Sequence, residues 1–466
     1  MPQPNQYLLV SPLDYGATDR FALTYAHRFP LPVGTLVEVP LGRKTSLGVV
    51  TAPAEPPQFA TKALTQALDL VTLPPHLVQL AEWLHSYYQA SPKSIWQTIL
   101  PSGLLTKRRD RPAAPAALAL PKLQHALTPE QTSAIAAITG GSHTAYLLQG
   151  VTGSGKTQVY IELAKMALAA GRSVIIMVPE IALAPQIEAH FRAVFGEVVV
   201  ATHSRMTPAQ RHQAWAMAAR TAHPQVVIGP RSSLFLPLAQ IGLIVIDEAH
   251  ETSYKQEQAP RYQAVTAAAK LAGLTGAKLV LGSATPSLSE LYLVERGRIG
   301  LAKLTVRANR QPPPPAVVVD LRDKSLAGPS RFISRPLAQA IEATLGARRQ
   351  SLLFLNRRGS ASSQICADCG RVAICPDCGL ALTFHADALK LICHVCNYRM
   401  TPAAVCPAAE GGCGSSNLRY LGCGTKRIEA EVRRLFPAAR LARLDKDSAT
   451  PRYLDEVYAG LYSGTI

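Results

Sequence analysis

Two rhythms of apolar residues divide the chain. Near its start, short apolar runs at Gln6–Val10, Phe21–Ala26, Thr35–Val39 and Leu47–Val50 alternate with turn formers such as Leu41-Gly42-Arg43. This pattern predicts a small β-rich unit. A proline-rich break at Ala52–Pro57 follows. Leu77, Leu80, Ala81, Leu84 and Tyr88 then share one face of a predicted helix over Leu77–Ala90. A basic run at Lys107–Arg111 and a stretch of Pro and Ala to Pro121 read as an exposed linker.

From Leu127 the grammar changes. Continuous apolar runs at Ala145–Gln149, Ser173–Val178, Val226–Gly229, Leu243–Ile246 and Lys278–Leu281 alternate with helical stretches such as Thr157–Ala170 and Ala264–Ala272. Buried strands alternating with helices predict an α/β class fold with a parallel sheet covered on both faces. A connector at Gln311–Pro315 ends this unit. A second alternating unit is expected to open with a helix at Pro336–Leu345 and a strand at Ser351–Leu355. A cysteine cluster interrupts it, and it resumes with a strand at Leu418–Leu421 and a helix at Lys426–Phe436.

Composition narrows the class. With 466 residues and 48% hydrophobic content, the chain supports several packed cores and is not disordered as a whole. No apolar run reaches the roughly 18 residues of a membrane-spanning helix. The opening MPQPNQYLLVSPLDYG lacks the basic and apolar regions of a signal peptide, so a cytoplasmic location is expected. A formal charge of +17 favours a polyanion, with nucleic acid first, over the plainer reading of a merely basic protein.

Two motifs carry chemistry. Gly150-Val-Thr-Gly153-Ser-Gly155-Lys156-Thr157 follows a predicted strand and opens a predicted helix. In that context its glycines let backbone N–H groups wrap phosphates, Lys156 is expected to reach the β- and γ-phosphates of ATP, and the Thr157 hydroxyl to ligate Mg²⁺. Leu243–Ile246 then delivers Asp247-Glu248-Ala249-His250 at a strand end. Asp247 is expected to hold Mg²⁺ through water, and Glu248 to orient or deprotonate the attacking water. Ser283 and Thr285, after the next strand, can link hydrolysis to a nucleic-acid surface. Arg357-Arg358, after a predicted strand, is the better candidate for nucleic-acid contact. The helical pairs Arg348-Arg349 and Arg433-Arg434 read as solvated faces.

All nine cysteines lie between Cys366 and Cys423. Cys366/Cys369, Cys375/Cys378 and Cys393/Cys396 are C-x-x-C knuckles, and Cys406/Cys413 is a wider C-x₆-C pair. Eight thiolates suffice for two tetrahedral, structural Zn²⁺ sites. Iron–sulfur ligation and disulfides are the weaker alternatives. His385 and His394 are spare. Two ions on eight thiolates bring the formal charge to about +13, still strongly basic.

Taken together, GVTGSGKTQVY (150–160), VPEIALAPQ (178–186), IGPRSSLF (228–235), LIVIDEAHETSYKQEQAPRY (243–262), LGSATPSL (281–288) and LFLNRRG (353–359) resemble the superfamily-two PriA-type replication-restart helicases. FALTY and VGTLVEVPLGRKTSLGVV, within 21–50, resemble that family's amino-terminal domain for the 3′ end of a nascent strand. LAEWLHSYYQASP (80–92) resembles its winged-helix region. The resemblance implies an ATP-dependent 3′-to-5′ DNA helicase that recognises stalled forks and initiates restart by assembling the primosome. Implied partners are forked and single-stranded DNA, replicative-helicase loading proteins and single-stranded DNA-binding protein; no membrane is involved.

By the same resemblance, Gln131 reads adenine, although Thr128-Pro129-Glu130 also makes it an ordinary helix-start residue. Tyr254, Lys255, Gln256, Arg261 and Tyr262 match a loop that couples DNA to hydrolysis, where stacking and cations suit a single strand. A packed surface loop is the alternative. Cys375, Cys378, Cys393 and Cys396 are implied to share one ion, and Cys366, Cys369, Cys406 and Cys413 the other. The chain departs from the family in its DEAH box, in Lys426 and in the Glu-Gly-Gly insertion before Cys413.

The expected division is an amino-terminal 3′-end domain (1–60), a winged-helix region and linker (61–120) and a first RecA-like P-loop domain (121–311). A partial second RecA-like domain (312–363 and 415–466) then surrounds the two-zinc insertion (364–414). Family members continue further and supply an arginine finger, worth about 10³–10⁵ in rate in related chemistry. This sequence is therefore expected to be a fragment or a naturally short form, and a short form is expected to be a poor motor. The alternative is a non-motor fork-binding module with impaired ATP turnover.

Overall fold

The structure is a computed structural model that describes residues 6–68, 72–101, 126–179, 184–203, 206–221, 223–309, 312, 314–321, 323–330, 332–355, 363–385, 388–421, 425–445 and 451–466. The chain forms two compact units, 1–313 and 314–466.

The first unit opens with strands β1 (Gln6–Pro12), β2 (Leu23–His27), β3 (Leu36–Leu41) and β4 (Lys44–Ala54), in the places the apolar runs predict. The short strands β5 (Lys62–Ala63) and β6 (Gln66–Ala67) complete a sheet in the order β5-β2-β1-β4-β3-β6. Gly42 turns β3 into β4 at a φ of 63°, which the absence of a Cβ permits. Helices α1 (Pro75–Tyr88) and α2 (Pro92–Ile99) follow, each with proline in its first turn. Trp96 of α2 donates its indole N–H to Ser11 Oγ at 2.8 Å and ties the helix to β1.

The parallel sheet is built by α3 (Pro129–Gly140), β7 (Ala145–Gly150), α4 (Lys156–Ala169), β8 (Ser173–Met177), α5 (Ala184–Phe195), β9 (Val199–Ala201), α6 (Pro208–Arg220), β10 (Val226–Gly229), β11 (Ile241–Ile246), α7 (Ala264–Thr275), β12 (Lys278–Ser283), α8 (Leu288–Glu295) and β13 (Gly300–Leu304). Its strand order is β13-β7-β12-β11-β8-β10-β9, with every pairing parallel. The five expected strands form its centre. The two edges, β9 and β13, escaped the sequence pattern because one is three residues long and the other carries Lys303.

Side chains leave each strand on alternate faces. Val174, Ile176, Leu243, Val245 and Val280 pack with α4 and α5. Ile175, Met177, Ile244, Ile246 and Leu281 pack with α7. That second core runs on into Phe21, Leu36, Val49, Leu77, Leu80, Leu84, Ile95 and Trp96, so the amino-terminal sheet and its helices share it with the parallel sheet. Helix α1 lies against α7, where Ala264, Ala267, Ala268 and Ala272 are buried small residues that permit close approach.

The second unit contains α9 (Arg335–Gly346), β14 (Ser363–Cys366), β15 (Thr383–His385), β16 (Lys390–Ile392), β17 (Arg399–Met400), β18 (Leu418–Leu421), α10 (Thr425–Leu435) and α11 (Pro451–Ser463). Its sheets are antiparallel, β14-β18 and β15-β16-β17. Two expectations are corrected here. Ser351–Leu355 is irregular, with Leu352 92% and Phe354 82% exposed, because no neighbouring strand among the described residues takes up its backbone groups. Leu418–Leu421 is a strand, but it pairs with Ser363–Cys366 and closes the cysteine-rich segment instead of continuing a parallel sheet. Arg433 and Arg434 pair with Glu429 and Glu431 on their own helix, as solvated arginines do.

Candidate functional site

The strand order sets β7, β12 and β11 side by side, so the loops after all three open at one edge of the sheet. The loop after β7 holds Gly153 and Gly155 at φ 79° and 83°. At Gly155 a Cβ would stand 2.3 Å from Gln131 Nε2, so only glycine lets these segments meet. Gln131 Nε2 donates to Ser154 O at 3.0 Å, and its Oε1 accepts the Thr128 N–H at 2.9 Å. Gln131 therefore caps α3 and braces the P-loop at once. Lys156 and Thr157 begin α4 beneath the loop. Lys156 Nζ donates to Gly150 O at 3.2 Å and lies 3.4 Å from Glu248 Oε1.

Asp247 is 5% exposed, and its Oδ1 accepts the Tyr160 hydroxyl at 2.9 Å. Burial pushes the Asp247 carboxyl above its usual range; the hydrogen bond from Tyr160 pulls it back, Glu248 pushes it up again and Lys156 pulls it down. The Tyr160 hydroxyl is itself driven well above the ordinary tyrosine range, by burial first and by Asp247 next. Its ring lies over Gly282, where a Cβ would fall 1.7 Å from the hydroxyl. Glu248 has a φ of 47°, unusual for a residue with a side chain. Its Oε2 lies 3.6 Å from His250 Nδ1, which is 2.8 Å from Ser283 Oγ. Ser283 Oγ accepts the Thr285 N–H at 3.1 Å. The structure thus strings Lys156, Glu248, His250, Ser283 and Thr285 into one polar line, with Asp247 beside it. Sequence reasoning missed Tyr160 and His250. The signal for Tyr160 was its place four residues after Lys156, one helical turn further along.

Among the five loop residues, the structure separates rings from cations. Tyr254 and Tyr262 are buried at 1% exposure, and neither offers a face for a base to stack on. Tyr254 donates its hydroxyl to the backbone carbonyl of Asp247 at 2.6 Å. Tyr262 packs edge-on against Phe235, with centroids 5.2 Å apart. Lys255 and Arg261 are exposed and Gln256 half-buried. Arg231 donates to the carbonyls of Ser253 and Lys255 and so holds the loop from below. Arg357 lies outside the described residues.

The cysteines converge in two groups. Cys366, Cys369, Cys406 and Cys413 form one, Cys375, Cys378, Cys393 and Cys396 the other, with sulfurs in each group within 4.8 Å of one another. The Cys366–Cys413, Cys369–Cys406 and Cys375–Cys396 sulfurs are 3.5, 3.6 and 3.5 Å apart. A Zn–S distance near 2.3 Å gives a tetrahedron edge of about 3.8 Å, so the donor sets fit Zn²⁺. Each knuckle turns back through a residue at positive φ, Gly370, Gly379 or Asn397. Backbone N–H groups of Cys396 and Val395 bring the Cys393 thiol down to about 7, while the hydrogen bond with Cys396 pushes the Cys378 thiol up to about 12, so the close sulfurs divide into readily ionised and protonated partners. The wide pair closes in the same way. Cys406 N donates to Ser415 O at 2.8 Å and Gly414 N to Cys406 O at 3.2 Å, while the insertion forms a separate turn at Ala408–Glu410.

Comparison with known proteins follows this layout. A model described as DEAD/DEAH box helicase matches residues 128–294, and one described as 3'DNA-binding domain (3'BD) matches 9–101. One described as PriA DNA helicase Cys-rich region (CRR) domain matches 375–400. The second match begins within β1 and ends after α2. Replication restart protein PriA of Treponema pallidum is 34% identical over 468 residues, covering 98% of this chain and 69% of that protein. The Bacillus subtilis protein of the same name is 38% identical over 328 residues, 70% of this chain and 40% of that protein. The one from Rickettsia felis is 35% identical, covering 94% and 65%. Aligned residues therefore span from two fifths to about two thirds of these relatives. No helix among the described residues is long and apolar enough to cross a membrane.

Proposed function

This chain belongs to the replication restart protein PriA family, and from that premise we propose that it is an ATP-dependent 3′-to-5′ DNA helicase. It recognises stalled or abandoned forks and starts restart by assembling the primosome. The observation that carries the reading is the polar line from Lys156 through Glu248 and His250 to Ser283, with buried Asp247 alongside. Gly150, Gly153, Gly155, Lys156 and Thr157 would hold the phosphates of ATP. Thr157 and Asp247 would hold Mg²⁺, which neutralises charge on the phosphates. Glu248 would orient or deprotonate the attacking water. An amide has two N–H groups and two acceptor lone pairs, so Gln131 keeps one of each for adenine beyond the bonds it already makes.

Exposed Lys255 and Arg261, with Gln256 and Arg357, supply the DNA contacts. Two Zn²⁺ ions lock the cysteine-rich segment. Partners are forked and single-stranded DNA, helicase-loading proteins and single-stranded DNA-binding protein, in the cytoplasm. The test is steady-state ATP hydrolysis with and without forked DNA, beside Lys156→Ala. Fork-stimulated turnover that the variant lacks supports the motor. A second reading, a fork-binding module with little turnover, is favoured by one observation: the described residues of 314–466 contain no parallel sheet. Fork binding with a rate no higher than that of Lys156→Ala supports that reading instead.

A further inference from the structure

A tyrosine of the amino-terminal module meets the loop below the acidic box with both its hydroxyl and its ring. Helix α1 ends at Tyr88, whose Oη accepts the backbone N–H of Gln263 at 3.0 Å. Gln263 stands just before α7, where backbone donors have no partner within the helix. It also closes the loop that begins at Tyr254. Lys255 and Gln263 form an antiparallel bridge, and Gln256 N donates to Tyr262 O at 2.9 Å. The Lys255 ammonium lies 5.6 Å from the centre of the Tyr88 ring and donates to the Arg261 carbonyl, so the same ring also steadies the cation of the loop. At the loop's other end, the Tyr254 hydroxyl bonds the Asp247 carbonyl at 2.6 Å and the Met177 carbonyl at 3.2 Å.

A continuous set of directional contacts thus runs from Tyr88 to the loop, to Tyr254 and to Asp247. It crosses between segments matched by two different models, 9–101 and 128–294. The apolar core that the two segments share holds them together but has no direction. The hydroxyl of Tyr88 fixes one backbone group of the loop, and a change in the position of α1 reaches that group first.

We propose that Tyr88 is a positioning residue through which DNA on the amino-terminal module sets the 254–263 loop and, through Tyr254, the backbone that carries Asp247. The inference rests on the ATPase reading above. Coupling of this kind is reciprocal: if DNA alters the nucleotide site, nucleotide alters DNA affinity by the same factor. The test therefore needs only binding, not turnover.

Affinity of the full chain for a fluorescent fork with a recessed 3′ end is measured with and without a non-hydrolysable ATP analogue and Mg²⁺, for wild type and Tyr88→Phe. The expected result is a shift of about 5-fold or more in the wild type. In Tyr88→Phe this shift falls to about 1, while the separate affinities for fork and nucleotide stay within about 2-fold. An unchanged shift in the variant overturns the proposal, as does a wild type that binds both ligands without any shift. The ATPase reading survives both results. It fails instead if wild type binds nucleotide no better than Lys156→Ala, and the proposal then falls with it. If Tyr88→Phe loses fork binding or fails to fold, amide exchange in the wild type decides. Slower exchange in a peptide covering 252–265 when the fork binds supports the proposal, and unchanged exchange overturns it.

Discussion

In the parallel sheet, Val174, Ile175, Ile176 and Met177 are all fully buried, and helices cover both faces. In the cysteine-rich segment the buried cluster is Leu382 and Leu391 together with Cys375 and Cys393. The first region encloses enough apolar surface to offset the entropy of ordering its backbone. The second does not, and its two groups of four thiols fit a metal ion that would supply the missing order. The difference teaches where each region can be damaged. A sheet held by a core loses stability in increments as methyl groups are removed. A knuckle held by metal loses its fold in one step when the donor set is broken.

The sharpest way to break this comparison is to remove the metal. A strong chelator, or Cys375→Ser, is expected to unfold the 363–421 segment and leave the melting of residues 1–313 unchanged. Structural zinc sites of this type are worth roughly 10–16 kcal/mol. Zinc release near two ions per chain, followed with circular dichroism, checks it; a segment that keeps its shape without metal breaks the contrast. Next in size, Leu80→Ala empties a fully buried position in the shared core and is expected to cost about 2–5 kcal/mol without releasing zinc. Denaturant melting measures it, and a separate early transition of the amino-terminal module would count against one common core.

Smaller again is Tyr160→Phe, which strips the hydrogen bond from buried Asp247 and costs about 1–3 kcal/mol. Since that bond holds the Asp247 carboxyl down, its loss moves the acid limb of ATP hydrolysis to higher pH, read from the pH profile of kcat/KM. The stability that the raised carboxyl costs is full above its raised value and fades as pH falls towards 3.8. Smallest is deletion of residues 408–411, which shortens the wide pair to C-x-x-C. The closing bonds from Cys406 and Gly414 lie outside the deleted turn, so outer-site stability is expected to change by about 0.5 kcal/mol or less, measured by competition with a metal indicator.

Continuous apolar runs announced the five central strands, and motif spacing announced the P-loop and acidic box, because both signals are local. The cysteine groups were legible for the same reason, although the sulfur pairing came from family resemblance and not from spacing. What stayed hidden depends on neighbours distant in sequence. Ser351–Leu355 has the composition of a strand but no partner among the described residues. Tyr254 and Tyr262 look like a stacking platform in sequence, yet the contacts with Asp247 and Phe235 bury them. Gln131 carried both of its readings, and the capping one is plain in the structure. The packing of α1 on α7 left a trace only in the run of alanines along α7.

That packing has a consequence for anyone who would treat the amino-terminal module as a portable part. Its inner surface is finished by Ala264, Ala267, Ala268 and Ala272 of another segment, and cutting after α2 would lay Leu77, Leu80 and Leu84 open to water. A chimera that carries the module to a different motor must also transplant the alanine face of α7. Expressed by itself, the same piece would present an apolar face of the kind that favours association.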